Sequence, residues 1–222
     1  MFTGIIECTG KIRAISEAGG DIRLTIDAPQ LDFSDVKLGD SIASNGICLT
    51  VVEVQGKSYA VDVSRETLNK TALLQWQVGD TVNLEKAMLP TTRFGGHIVA
   101  GHVDGVGKIA MIIQDARSIY IEIELPALLM KYTADKGSVT VDGISLTTNA
   151  IKPKDNLICL NIIPHTAQLT NIARHWTLGR LVNIEVDLLA RYLERLLTER
   201  ATANTPTSNI DEAFLAKHGF GL

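Results

Sequence analysis

The sequence predicts an all-β protein: two similar, small, six-stranded barrels followed by one α-helix. Three observations carry that reading. A segment of the first half recurs in the second, strand-like runs separated by turn residues come in two sets of six, and one amphipathic helical stretch follows the second set. The recurring segment is LGDSIASNGICLTV (38–51) and DKGSVTVDGISLTT (135–148). Placed 97 positions apart without a gap, the two share Ser41/Ser138, Gly46/Gly143, Ile47/Ile144, Leu49/Leu146 and Thr50/Thr147, and exchange Asn45 for Asp142 and Cys48 for Ser145. The same offset pairs Gly4-Ile5-Ile6-Glu7 with Gly101-His102-Val103-Asp104, and offsets of 99 and 100 pair Thr67 with Thr166, Thr71 with Thr170 and VNLE (82–85) with VNIE (182–185). A 222-residue chain with such a repeat reads as a duplication of one domain.

In chain order, the first half offers Gly4–Ile12, Ile22–Asp27, Asp40–Ala43, Cys48–Val54, Ser58–Val63 and Val82–Lys86 as strands. Gly19-Gly20-Asp21 turns the first pair, Asn45-Gly46 is a tight-turn signal, and Gln55-Gly56-Lys57 closes the hairpin into Ser58–Val63. In Tyr59-Ala60-Val61-Asp62-Val63, polar or small residues alternate with apolar ones, as on a barrel wall. A short helix is expected at Glu66–Gln75. The second half repeats the plan with Val103–Ile113, Ser118–Leu125, Ser138–Thr140, Ser145–Ile151, Leu157–Ile162 and Leu181–Val186, and a helix near Ala167–His175. Long parallel crossovers are missing from this pattern, which disfavours a doubly wound dinucleotide-binding sheet. LLARYLERLLTER (188–200) then places Leu189, Tyr192, Leu193, Leu196 and Leu197 on one helical face and Arg191, Glu194, Arg195 and Glu199 on another. With both barrels already complete, that apolar stripe either lies on the chain's own surface or meets copies of itself from other chains, and self-association is the favoured reading. Residues 201–209 read as a polar linker, and Asn209-Ile210-Asp211-Glu212 has a capping-box form leading into a short final helix. The expected units are therefore 1–96, 97–187, a helix at 188–200, and a linker and tail at 201–222.

Composition narrows the function. Hydrophobic content of 45% and charged content of 21% are ordinary for a soluble globular protein. The net charge of −4 and scattered basic residues leave no stripe of Lys and Arg for a phosphate backbone, so nucleic acid is not an expected partner. No window approaches the roughly 18 apolar residues that span a bilayer, and no basic-then-apolar leader opens the chain. A cytoplasmic, non-membrane protein is the expectation. Cys8, Cys48 and Cys159 are odd in number and far apart, which fits reduced thiols rather than a disulfide framework or a CxxC metal site.

The candidates for chemistry come from the repeat. Cys48 and Ser145 stand at equivalent positions beside an Asn-Gly or Asp-Gly turn, each followed by Leu-Thr. A purely structural turn needs only a small residue there. A thiol in one half and a hydroxyl in the other suit two related ligand sites with different tasks. His97 and His102, in GGHIVAGHVDG at the junction of the halves, are five apart in an extended segment and point to opposite faces, so no shared metal is expected. His102 falls where the first half has Ile5, and a group that titrates near neutrality suits proton transfer. Matched polar residues, Thr50, Asp62, Glu66 and Thr67 against Thr147, Asn161, His165 and Thr166, are either solvated strand ends or the hydrogen-bonding set of a polyol or heterocyclic diamide, each bond contributing roughly 0.5–1.5 kcal/mol.

The motifs MFTGIIE, SNGICLTV, GGHIVAGHVDG, VDGISLT, NIIPHT and VNIEVD, in this order over residues 1 to about 200, resemble those of the trimeric, alpha-type riboflavin synthase family. The resemblance implies two six-stranded Greek-key barrels, each binding a lumazine, and a C-terminal helix that joins three chains. The activity it implies is the last step of riboflavin biosynthesis: two molecules of 6,7-dimethyl-8-(1-D-ribityl)lumazine become riboflavin and 5-amino-6-(D-ribitylamino)uracil, a transferase reaction without metal or cofactor. The implied substrate contacts are Gly4, Ile5 and Ile6; Cys48, Leu49 and Thr50; Asp62, Val63, Ser64, Arg65, Glu66 and Thr67; Gly101, His102 and Val103; Lys136; Ser145, Leu146 and Thr147; and Asn161, Ile162, Ile163, Pro164, His165 and Thr166. The implied catalytic positions are Phe2, Ser41, Cys48, His97, His102 and Asp187. In such a site Cys48–Thr50 of one chain is expected to face Gly101–Val103 and Lys136 of its neighbour, and Ser145–Thr147 the neighbour's Gly4–Ile6. Lumazine synthase is the candidate protein partner. Two departures stand out: Ile47 precedes Cys48 where some members have a second cysteine, and the tail after Ala201 lies outside the motifs. The alternative is a lumazine- or flavin-binding protein of the same fold without catalysis; a barrel pair serving only for assembly gives no account of the matched polar positions.

Overall fold

The computed structural model describes residues 1–203 and 217–219. In the first half β1 (Cys8–Ala18), β2 (Asp21–Asp27), β3 (Ser41–Ser44), β4 (Ile47–Gln55), β5 (Ser58–Val63) and β6 (Thr81–Lys86) form a closed antiparallel barrel in the order β1-β2-β5-β4-β3-β6. Strands β3, β4 and β5 follow one another as hairpins while β2 returns by a long connection to lie beside β5, which is a Greek key. The second half contains β7 (Gly105–Asp115), β8 (Ser118–Glu124), β9 (Ser138–Val141), β10 (Ile144–Thr147), β11 (Ala150–Lys152), β12 (Leu157–Ile162) and β13 (Leu181–Val186), in the order β10-β9-β13-β7-β8-β12-β11. The order is that of the first half with β10 and β11 together standing for β4.

That division corrects the single strand expected at Ser145–Ile151. Strand β4 absorbs a register shift between Val51 and Glu53 and runs on. Its counterpart breaks, because Asn149 leaves the ladder, donating its backbone N–H to the Cys159 carbonyl (2.8 Å) and accepting at Oδ1 from the Asn161 N–H (3.1 Å). The first strand also starts later than expected, at Cys8 rather than Gly4, and its counterpart at Gly105 rather than Val103. The displaced residues pair elsewhere, as described below. The expected helix at Glu66–Gln75 is α1 (Arg65–Lys70) followed by a 3₁₀ turn at Ala72–Gln75. Thr71 divides them: its hydroxyl donates to the Thr67 carbonyl (2.7 Å) and its Oγ1 accepts from the Leu73 N–H (3.3 Å). Likewise Thr170, donating to the Thr166 carbonyl, separates α2 (Pro164–Leu169) from α3 (Ile172–His175).

Each barrel buries its own core. Ile12, Leu24, Ile26, Ile42, Tyr59 and Leu84 lie inside the first, and Ile109, Ile121, Ile123, Ile158, Leu160 and Ile184 inside the second. Each fully buried aliphatic side chain contributes about 1.5–3 kcal/mol. Between the barrels sits a polar plug. The turns at Gly46 and Gly143 are back to back, so close that a Cβ on either would stand 2.7 Å from the other's backbone nitrogen. Around them, the Asn83 N–H donates to Asn45 Oδ1 (2.7 Å), the Asn183 N–H to Asp142 Oδ1 (2.8 Å), the Asn171 N–H to Asn83 Oδ1 (2.7 Å) and the Ala72 N–H to Asn183 Oδ1 (2.8 Å). The repeat thus supplies its own fastener, in which each VNxE asparagine bonds across to the opposite barrel.

The last element, α4 (Leu188–Ala203), extends three residues beyond the expected 188–200. Asp187 caps it, accepting from the Leu189 N–H (2.9 Å). The helix docks by its charged face: Arg191 pairs with Asp104, and Glu194 with Lys131 (2.7 Å). Leu189, Tyr192, Leu193, Leu196 and Leu197 remain 58–65% exposed. No helix among the described residues is long and apolar enough to cross a membrane. The linker at 204–209 and the capping box at Asn209–Glu212 fall outside the described residues.

Candidate functional site

The residues ahead of β1 and β7 cross over. The Ser145 N–H of β10 donates to the Gly4 carbonyl (2.8 Å), and the Cys48 N–H of β4 donates to the Gly101 carbonyl (2.9 Å). Ile6 packs on the second core and Val103 on the first. Gly4 and Gly101 adopt φ of +74° and +79°, and a Cβ on either would meet the Cβ of Ser145 or Cys48 at 2.6 Å. Only glycine permits that approach. The expectation that these segments meet residues of a neighbouring chain is therefore corrected: Gly101–Val103 lie on their own chain's Cys48, and Gly4–Ile6 on its Ser145, because the short connections before β1 and β7 reach across the back-to-back turns.

Two mouths result. At the first barrel, Cys48 is half-buried, Leu49 is buried and Thr50 is exposed on β4. Ser64 caps α1, accepting from the Thr67 N–H (3.3 Å), while Glu66 is exposed on the same turn. Asp62 forms a two-pronged bond with Arg23 (2.8 and 3.0 Å), which holds its carboxyl below the usual carboxylate range. Arg65 reaches away to the Gly20 carbonyl (2.9 Å), and Val63 belongs to the core. His102 is exposed beside Gly101. Cys48 shares an apolar cluster with Phe2, Ala43, Val99 and Ala87.

The second barrel replaces that apolar surrounding with polar groups. His97 is buried; its Nδ1 lies 2.7 Å from Ser145 Oγ and its Nε2 3.1 Å from Thr140 Oγ1. Burial lowers its pKa, opposed by the negative charge of Asp187. A neutral imidazole results, donating to one hydroxyl and accepting from the other. By the repeat offsets, Thr140 replaces Ala43, Ser145 replaces Cys48 and Asp187 replaces Ala87. Leu146 and Thr147 continue β10. Asn161 and Ile162 end β12, and Ile163, Pro164, His165 and Thr166 form the start of α2, matching Asp62–Thr67. Gly95 and Gly96 run over Ile5 and Ser145 on the way to His97.

Lys136 stands apart from both groupings, and Ser41 borders the first. Ser41 pairs with Thr50 across β3 and β4. The Lys136 N–H donates to the Thr148 carbonyl (2.7 Å), and its side chain is exposed at φ +64°, where the first half has Gly39 at +92°. Holding a lysine there costs about 1–2 kcal/mol. Sequence reasoning missed Thr140, Glu85 and Glu185. Glu85 accepts from the N–H (2.6 Å) and hydroxyl (2.7 Å) of Thr3 and from the Gly4 N–H (2.9 Å). Glu185 accepts from the N–H groups of Ala100 (2.6 Å) and Gly101 (2.9 Å). The repeat of VNLE as VNIE was their signal. Among the described residues no three of His, Cys, Asp and Glu gather as a metal site.

Two matched groups of polar residues on a duplicated barrel define a class, and comparison agrees with it: the family model for the lumazine binding domain matches twice, at residues 3–87 and 100–187. The chain is 52% identical over 222 residues to riboflavin synthase of Photobacterium phosphoreum, covering 100% of both. It is 43% identical over 220 residues to that of Bacillus subtilis, covering 99% of this chain and 100% of that protein. The chain belongs to the riboflavin synthase family. The first of these matches runs through the tail, which extends the likeness beyond Ala201. Among solved structures, LumP complexed with riboflavin superposes with a TM-score of 0.77 at 26% identity, covering 84% of this chain and 99% of that one. LumP complexed with 6,7-dimethyl-8-(1'-D-ribityl)lumazine gives 0.75.

Proposed function

We propose that this chain makes riboflavin by moving a four-carbon unit between two molecules of 6,7-dimethyl-8-(1-D-ribityl)lumazine, releasing 5-amino-6-(D-ribitylamino)uracil. The observation that carries the reading is the pair of matched mouths with unmatched chemistry, Thr140–His97–Ser145 in one barrel and Ala43–Cys48 with His102 in the other. Two identical substrates with two different fates call for one donor and one acceptor site on similar frames. The two lumazines equal the two products atom for atom, so the chain's own task is to bind, orient and move protons. In the second barrel, neutral His97 removes the proton of Ser145 Oγ or of a water beside it, and Asp187 stabilises the imidazolium that forms. In the first, His102 exchanges protons at the C7 methyl group, and Cys48, or a water held near Ser41, meets the acceptor ring. General acid–base steps of this kind contribute about 10²–10⁴ in rate. Holding the two rings together contributes more, since effective molarities reach about 10⁵–10⁸ M.

The polar plug fills the space between the two barrels of one chain, so the reacting pair is proposed to form between the first barrel of one chain and the second of another. A trimer joined through the exposed stripe of α4 supplies such faces, and Lys136 is proposed to reach across one. The three free thiols suit the reducing cytoplasm. Lumazine synthase, which would deliver the substrate, is the proposed protein partner. The test is direct: incubate the pure protein with the lumazine alone and measure riboflavin and the pyrimidine. Equal amounts of both support the proposal. A carrier of the same fold would bind the lumazine and return it unchanged, and that outcome would overturn it.

A further inference from the structure

The glutamates that end the matched VNLE and VNIE motifs are left without a task by the chemistry above, yet both are 95% buried and both hold a crossing segment. Glu185, on β13 of the second barrel, collects the backbone N–H groups of Ala100, Gly101 and His102, the residues that cross to the first barrel's mouth. Three successive amides aimed at one point form a nest suited to an anion. A neutral amide side chain offers one acceptor oxygen and turns an N–H₂ toward the remaining donors. No Lys, Arg or His forms an ion pair with this carboxylate among the described residues: nearby Arg191 is paired with Asp104, the His102 imidazole lines the same cavity, and the amino group of Met1 acts from a distance. The amides are its main counter-charge.

We propose that Glu185 is a positioning residue, whose carboxylate fixes the Ala100–His102 turn and thereby sets where the His102 ring stands. The proposal rests on the functional reading above for its consequence in turnover, but the clamp itself is independent of it. Glu85 is the built-in comparison, because it makes the same bonds to Thr3 and Gly4 at the second mouth and does not touch His102. Burial raises the Glu185 carboxyl to about 7, with the three amides pulling it down, so the clamp titrates near neutrality. Protonation turns one acceptor into a donor and loosens the turn as pH falls through that value.

The test uses the full-length protein as Glu185→Gln and Glu185→Asp, read by amide hydrogen exchange, turnover and thermal unfolding. In Glu185→Gln the amides of 100–102 should exchange about tenfold faster or more with those of β7 and β8 unchanged, and kcat should fall about ten- to a hundredfold with KM nearly constant. The weakening of 100–102 protection on the acid side of about pH 7 should vanish in that variant and survive in Glu185→Asp, a readout apart from proton transfer by His97 and His102. Unchanged exchange at 100–102 overturns the proposal, as does a parent-like pH profile of that protection in Glu185→Gln, or a loss of activity that merely follows a loss of folding. Should neither variant fold, exchange in the parent decides: protection of 100–102, corrected for the intrinsic rate, must weaken between pH 8 and pH 6, and an unchanged protection overturns the clamp. If the parent makes no riboflavin, the functional reading fails while exchange still reports on Glu185.

Discussion

His97 and His102 show how five residues of chain separate two tasks. His97 is buried between two hydroxyls, whereas His102 is exposed on the crossing segment where the first half has Ile5. His102→Gln should therefore keep lumazine affinity within about tenfold while turnover falls about 10² or more. Fluorescence titration and single-turnover kinetics separate the two effects, and an unchanged rate removes His102 from the mechanism. A second residue-scale expectation concerns Asp142, which stands where the first half has Asn45. It is buried in the plug, accepts from the Trp176 indole (3.1 Å) and the Asn183 N–H (2.8 Å), and has its carboxyl raised by burial to about 6. An acid raised above its unfolded value stabilises the fold below about pH 4 and loses that contribution as pH climbs through about 6. The span corresponds to about 3 kcal/mol. Thermal unfolding of parent and Asp142→Asn between pH 4 and 8 should show the variant gaining on the parent across that window; parallel curves would mean that Asp142 does not titrate there. The exchanges Cys48/Ser145, Asn45/Asp142 and Ile5/His102 were visible in the sequence because each lies inside a repeated motif. Thr140 was not, since its partner Ala43 is chemically silent and only His97, brought from outside the repeat, gives it a role.

At the scale of elements, strands were legible wherever alternation and turn residues coincide, as in Ser58–Val63, whose expected and observed bounds are identical. Boundaries failed where a tertiary bond overrides local preference. Gly4–Ile6 look like the start of a strand, but the Ser145 N–H draws them to the other barrel while the Glu85 carboxylate of their own barrel holds the Gly4 N–H out of the ladder. Thr71 and Thr170 split helices that apolar periodicity alone would continue, by turning a hydroxyl onto the preceding turn. Helix α4 was legible as amphipathic, and the structure adds which face is used within the chain: the charged one, through Arg191 and Glu194. Its five large apolar residues are then free for other chains. Truncation after Asp187 should leave both barrels folded, since their cores contain none of these residues, and should weaken the proposed trimer as read by sedimentation. A trimer that survives truncation would place the contacts elsewhere on the barrels.

For the whole molecule, the duplication was plain in the sequence, but the crossing of Gly4–Ile6 and Gly101–Val103 was not, because it concerns which copy a segment packs on and the two copies have matching surfaces. The crossing makes each proposed site a product of both halves of one chain, so the two barrels would not bind ligand independently. It also changes the test for catalysis between chains. Damage at Cys48 and damage at His102 both strike the first mouth of the same chain, so variants carrying one or the other would not complement. The informative pair is one chain damaged at Cys48 and Thr50 and another damaged at Ser145, Thr147 and Lys136. In a cyclic trimer each face joins the first barrel of one chain to the second barrel of the next. A mixed trimer of either composition then contains one face with both mouths intact, and the remaining faces contain at least one damaged mouth. Neither parent alone has an intact face. Refolding the two variants together should therefore restore riboflavin formation, with the yield following the fraction of mixed trimers measured by native mass spectrometry. Were the two lumazines to react between the barrels of a single chain, every chain in the mixture would still carry one damaged mouth, and mixed trimers without activity would refute the arrangement.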